Sequence, residues 1–114
     1  FIEVDHELVA YLSKTYPQLA HHIIEADFLK LNLGQMWPGT VGVIGNFPYN
    51  ISSPIFFKLL QHRDQVQEIV CMVQKEVADR IVAKPGSKIY GIPSVLLQAF
   101  YQVEYLFTVE PSLF

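Results

Sequence analysis

The chain has 114 residues, 51% of them hydrophobic and 17% charged, a composition that suits one ordinary globular core and a single domain over residues 1–114. Its net charge of −3 excludes a chain that grips nucleic acid over its whole surface, because phosphate contacts need clustered Lys and Arg. There is no apolar run of about 18 residues, no basic-then-apolar leader pattern around Glu3, Asp5 and Glu7, and no second cysteine beside Cys71, so a membrane span, a secretory signal and an internal disulfide are excluded and a reducing, cytoplasmic setting fits.

Phe1-Ile2-Glu3-Val4 reads as the end of a strand, and Asp5 is placed to cap an amphipathic helix carrying Leu8, Val9 and Leu12. An opening inside a strand predicts that the chain is a piece of a longer one. A short strand is expected at residues 22–26, a loop from Asp27, and an apolar strand at residues 41–44 closed by Gly45. Ser52 and Ser53 before Pro54 form a helix start, with a hydroxyl as cap and the helix running to about His62. Residues 68–73 are nearly all apolar, as in a strand buried on both faces, and Cys71 within them reads as a buried structural thiol. A helix follows at residues 76–82, a basic turn-rich loop at residues 84–88, a helix at residues 94–100 and a final strand at residues 103–109. Tyr101, Tyr105 and Phe107 alternate near that last strand, where sheet packing is a better default than base stacking.

Strands and helices alternate, which predicts an α/β sandwich with a mostly parallel sheet and a ligand crevice outside the carboxyl ends of its strands. Three polar clusters fall at such ends: Glu3 with Asp5, Asp27, and Asn46 to Tyr49. Glu3 is placed to accept hydrogen bonds from the two hydroxyls of a ribose, whereas Asp5 is better read as the helix cap. Asp27 can accept from the amino group of a cofactor adenine with Phe28 packed near that ring, or it can simply form a turn. Six of the eight basic residues lie within residues 58–88, either as a backbone-binding face or as two solvated helices. The four histidines have no compact spacing with Cys or carboxylates, so no metal site is expected.

Asn46-Phe47-Pro48-Tyr49 is more specific, because each position suits one reaction. The exocyclic amine of adenine is a poor nucleophile, its lone pair being delocalised into the ring. The Asn46 carboxamide oxygen and the Phe47 backbone carbonyl together can accept both N–H bonds and turn that lone pair towards a methyl sulfonium. Pro48 stiffens the loop and brings no competing N–H, while Tyr49 offers a face on which an extruded base can stack. The competing reading is an ordinary turn, since Asn, Pro and Gly gather at turns everywhere. The position after an apolar strand and before a helix start favours the chemical one.

The run from Gly45 to Ile55 resembles the fourth motif of the KsgA (RsmA) dimethyladenosine transferases, usually Asn-Leu-Pro-Tyr-Asn-Ile-Ser, with Phe47 in place of Leu. Residues 73–81, 84–91 and 94–98 also look like that family's later motifs, so the likeness spans almost the whole chain. The resemblance implies a Rossmann-like, S-adenosylmethionine-dependent methyltransferase that dimethylates two adjacent adenines of small-subunit rRNA during ribosome assembly. It assigns Glu3 to the cofactor ribose, Asp27 to its adenine, Asn46 to the target amine and Tyr49 to stacking. It also implies that the family's glycine-rich first motif lies upstream of Phe1 and a helical domain beyond Phe114. The 114 residues alone are then expected to be inactive, with unpaired sheet edges open to dimerisation or support by another segment. An erythromycin-resistance methylase acting on large-subunit rRNA is the nearest alternative, disfavoured by residues 84–91; a non-catalytic ribosome-assembly factor is the alternative of a different class.

Overall fold

The protein is described here by a computed structural model, in which residues 1–113 are described. They gather into two compact units, Phe1–Gly39 and the residues from Thr40 onward.

In the first unit, β1 (Ile2–Glu3) and β2 (Ile24–Glu25) pair in parallel, with Glu3 opposite Glu25. The ladder continues beyond both ends through Ile24 N–H to Phe1 O (2.8 Å) and Ala26 N–H to Glu3 O (3.0 Å). A parallel pair requires a crossover, supplied by α1 (His6–Thr15) and a 3-10 turn at Pro17–His22. Asp5 caps α1, its Oδ1 accepting from Glu7 N (2.9 Å) and Leu8 N (3.2 Å), as the sequence predicts. After β2, the predicted loop is organised into a 3-10 turn at Phe28–Lys30 and the short helix α2 (Leu33–Met36), whose Leu33 is buried.

In the second unit, β3 (Val41–Asn46) and β4 (Val66–Met72) pair in parallel from Val41↔Val66 to Asn46↔Met72, and α3 (Ser52–Gln61) is the crossover. The apolar stripe of α3, Ile55, Phe56, Leu59 and Leu60, recurs at helical spacing and forms most of the core with Val66, Ile81, Ala83 and Leu97. Helix α4 (Lys75–Ile81) follows β4, and α5 (Ile92–Phe100) packs against both α3 and α4. The Tyr101 hydroxyl donates to Val66 O (2.8 Å), fastening the end of α5 to the start of β4.

The mixed α/β class with parallel pairing is thus present, and four local expectations are corrected. No serine hydroxyl caps α3: Ile51 occupies the cap position, Ile51 N–H already donates to Pro48 O (3.1 Å), and Ser52 is drawn inside the first turn and buried. The apolar residues of β4 are not covered on both faces, because β3 and β4 form a two-stranded sheet with Ile44 83% and Val70 39% exposed. Cys71 is accordingly half-buried rather than buried. Residues 103–109 form no strand, since no described strand offers them a ladder, and Tyr105 and Phe107 are exposed instead of packed. No helix among the described residues is long and apolar enough to cross a membrane.

Candidate active site

Each unit presents polar groups at the carboxyl edge of its own parallel pair. In the first unit, Glu3 ends β1 and Asp27 lies two residues beyond β2, so the ladder brings both acids to one edge. Glu3 Oε1 accepts from Val4 N and Asp5 N, both at 3.1 Å, which turns the carboxylate across the strand end and leaves Oε2 outside that arrangement. Asp27 Oδ1 accepts from Leu29 N (3.0 Å) and so caps the 3-10 turn that carries Phe28. Asp27 therefore forms a turn, and the second carboxylate oxygen stays outside that cap. Both acids and Phe28 are half-buried.

In the second unit, β3 alternates along its length: Val41, Val43 and Gly45 point to the packed side, Gly42, Ile44 and Asn46 to the open one. Asn46 ends the strand. The parallel ladder is carried one bond further by Phe47 N–H to Met72 O (3.0 Å), so the chain leaves the strand in a fixed direction. Phe47 continues the packed side at 8% exposure, with its ring edge-on to Phe56 (centroids 5.3 Å apart, planes at 62°). Pro48 O closes a turn onto Ile51 N, and Tyr49 stands 73% exposed beyond it. Among the described residues neither the Asn46 carboxamide nor the Phe47 carbonyl accepts a hydrogen bond. Two acceptors thus stand at adjacent positions, between one exposed aromatic face and one ring packed inward.

The structure therefore brings Glu3, Asp27 and Phe28 together in one unit and Asn46, Phe47, Pro48 and Tyr49 together in the other. Sequence reasoning missed Gly45 and Phe56, which shape the space around Phe47. The aromatic-rich first turns of α3 were the available signal. The cluster of basic residues within 58–88 is partly structural: Arg63 lies over the Phe100 ring (4.3 Å to its centroid) and donates to Leu60 O (3.0 Å), and Lys75 pairs with Asp79 at 3.0 Å. Of the histidines, His6 Nδ1 lies 2.6 Å from Glu25 Oε1 and His21 stacks on His22, while no three metal-binding side chains cluster among the described residues.

A family model described as ribosomal RNA adenine dimethylase matches residues 1–114. The chain is similar to proteins named ribosomal RNA small subunit methyltransferase A. The one from Bacteroides thetaiotaomicron is 59% identical over 114 residues, covering 99% of this chain and 43% of the relative. The one from Cytophaga hutchinsonii is 54% identical over 113 residues, covering 99% and 44%, and that from Parabacteroides distasonis 58% identical over 113 residues, covering 99% and 42%. The chain thus spans less than half the length of the curated relatives it matches.

Proposed function

The chain belongs to the ribosomal RNA adenine dimethylase family, and from that membership we propose that the protein carrying it transfers methyl groups to the exocyclic amines of two adjacent adenines in small-subunit rRNA. The observation that carries the reading is the pair of adjacent acceptors, Asn46 Oδ1 and Phe47 O, held at the end of a ladder beside an exposed Tyr49. The relatives' name favours the small subunit over the large-subunit alternative.

S-adenosylmethionine is the methyl donor in this reading, supplying an electrophilic methyl on a sulfonium. The donor set at the first unit's strand edge fits it: Glu3 and Asp27 each keep one carboxylate oxygen outside their local hydrogen bonds, for the ribose hydroxyls and the adenine amine, and Phe28 opens the turn that Asp27 caps. For the target base, Tyr49 supplies a stacking surface, an interaction of about 1–3 kcal/mol per base in single-strand sites. Asn46 Oδ1 and Phe47 O accept the two amine protons, which withdraws the nitrogen lone pair from ring conjugation and aims it out of the base plane. Neither acceptor is a strong base, so the chain's contribution is orientation, and the displaced proton leaves to water. Pro48 adds no donor to compete for those oxygens.

The test is Asn46→Ala in the full-length protein. Losing one of two aligned acceptors should lower transfer by at least about 100-fold, the scale of a misplaced reacting group, while cofactor affinity stays within a few-fold. Turnover near that of the unchanged protein refutes the role of Asn46. Full-length protein that binds ribosomal particles yet transfers no labelled methyl supports the assembly-factor alternative instead.

A further inference from the structure

Gly45 needs no glycine for its backbone: it lies in β3 without a positive φ, a position any residue can adopt. Glycine within a strand is itself unfavourable, since it adds backbone entropy to the unfolded chain and packs nothing. Its neighbourhood supplies the reason. A Cβ built on Gly45 would lie 3.2 Å from Phe47 Cε1, tighter than a side chain normally comes to a ring, and in ordinary contact with Cδ1 at 3.5 Å. The ring cannot simply swing away, because it is 8% exposed, meets Phe56 edge-on, and hangs from a backbone tied to Met72 O. A methyl at residue 45 would therefore be accommodated by moving the Phe47 backbone, which carries one acceptor and adjoins the other. Gly42, three residues earlier on the same strand, shows the contrast: its Cβ would meet only Glu68 O, at 4.0 Å.

We propose that Gly45 is a positioning residue: its missing side chain is the space into which the Phe47 ring folds, and that seat fixes where the Asn46 and Phe47 oxygens point. The proposal rests on the reading that these two oxygens accept the target amine. It also makes Gly45 and Phe47 a matched pair, in which the larger ring demands the smaller neighbour.

The test compares Gly45→Ala, Phe47→Leu and the double variant in the full-length protein, with Gly42→Ala as the strand control. A displacement of tenths of an ångström should lower kcat about tenfold in Gly45→Ala, while KM for RNA and cofactor affinity stay within about threefold. In the double variant, kcat should return to within about threefold of Phe47→Leu, because the shorter side chain vacates the contact. Hydrogen exchange at the Phe47 amide, which needs no activity, should quicken in Gly45→Ala and recover in the double variant. Unchanged kcat or unchanged exchange in Gly45→Ala overturns the proposal, and so does a double variant no better than Gly45→Ala. If Gly45→Ala does not fold, the double variant decides, and a kcat well below that of Phe47→Leu overturns the proposal. If the unaltered full-length protein transfers no methyl, the functional reading fails and the exchange pattern alone decides this one.

Discussion

Phe47 and Tyr49 are two residues apart and meet opposite fates, one ring buried against Phe56 and the other standing in solvent. The sequence marks both as aromatic but cannot say which faces inward; that depends on Phe47 inheriting the packed side of β3, which alternation assigns only once the strand is known to run through Asn46. What the sequence does offer is the residue types of the tetrapeptide, an Asn, a proline and two aromatics directly after an apolar strand, and the structure adds which of the two rings is exposed. Cys71 shows the opposite case. Its apolar neighbours suggest full burial, yet opposite Gly45 on the packed side of a sheet only two strands wide it is half-buried, and that partial desolvation still raises its thiol above the usual range. Because the thiolate is the nucleophile, Cys71 should react with iodoacetamide at mildly alkaline pH several-fold more slowly than a free cysteine, and unfolding in guanidinium should abolish the difference. Alkylation as fast as the free amino acid in the folded protein would contradict this.

At the scale of elements, α5 holds the end of α4 by side chains that add to the backbone turn closing it. The Ser94 hydroxyl accepts from Gly91 N (3.1 Å) and donates to Arg80 O, and Gln98 Nε2, one turn later, donates to Ile81 O and Ala83 O at 2.8 Å each. Arg80 O and Ile81 O are among the last carbonyls of α4 and Ala83 O lies just beyond it; Arg80 O also accepts from Ala83 N (3.2 Å), so two side chains at i and i+4 add to the pairing of three carbonyls at this end. The basic loop at residues 84–88 starts from that anchored end, with Gly86 at a positive φ in its turn. Ser94 is completely buried, so Ser94→Ala should destabilise the protein by about 1–3 kcal/mol, and Gln98→Leu by about 1–2 kcal/mol, the cost of leaving acceptors unmet. Denaturant titration checks both, and a combined loss equal to the sum of the two single ones would mean that they act independently and not on one helix end. None of this is visible in sequence, where Ser94 and Gln98 are two polar residues on an apolar helix. The strand expected at residues 103–109 fails for the converse reason: its alternation is real, but alternation creates a strand only where a neighbour offers hydrogen bonds.

Among the described residues there are two parallel pairs, each of two strands, and isolated pairs of that size are marginally stable. On the second pair the exposed Ile44 and Val70 line an open face with Gly42 and Glu68, an apolar surface that water penalises and that any complementary surface would cover. The six glycines of the chain stand at positions 34, 39, 42, 45, 86 and 91, and although three of them recur every third residue from 39 to 45, none makes the Gly-x-Gly-x-x-Gly spacing that lets a backbone approach a cofactor. In the proposed reading the 114 residues hold the amine-orienting loop and the acid pair, but no Gly-x-Gly-x-x-Gly run to seat a methyl donor. Expressed by themselves, they should transfer no labelled methyl to RNA and should self-associate as their concentration rises, seen as a growing mass by light scattering. Charging the open face separates the two effects: Ile44→Lys should reduce the association while leaving the chain just as inactive, because a covered face does not supply a cofactor seat. A strictly monomeric isolated chain would show that the open face is not what drives association, and measurable methyl transfer by it would show that the acid pair and the loop suffice to bind the donor.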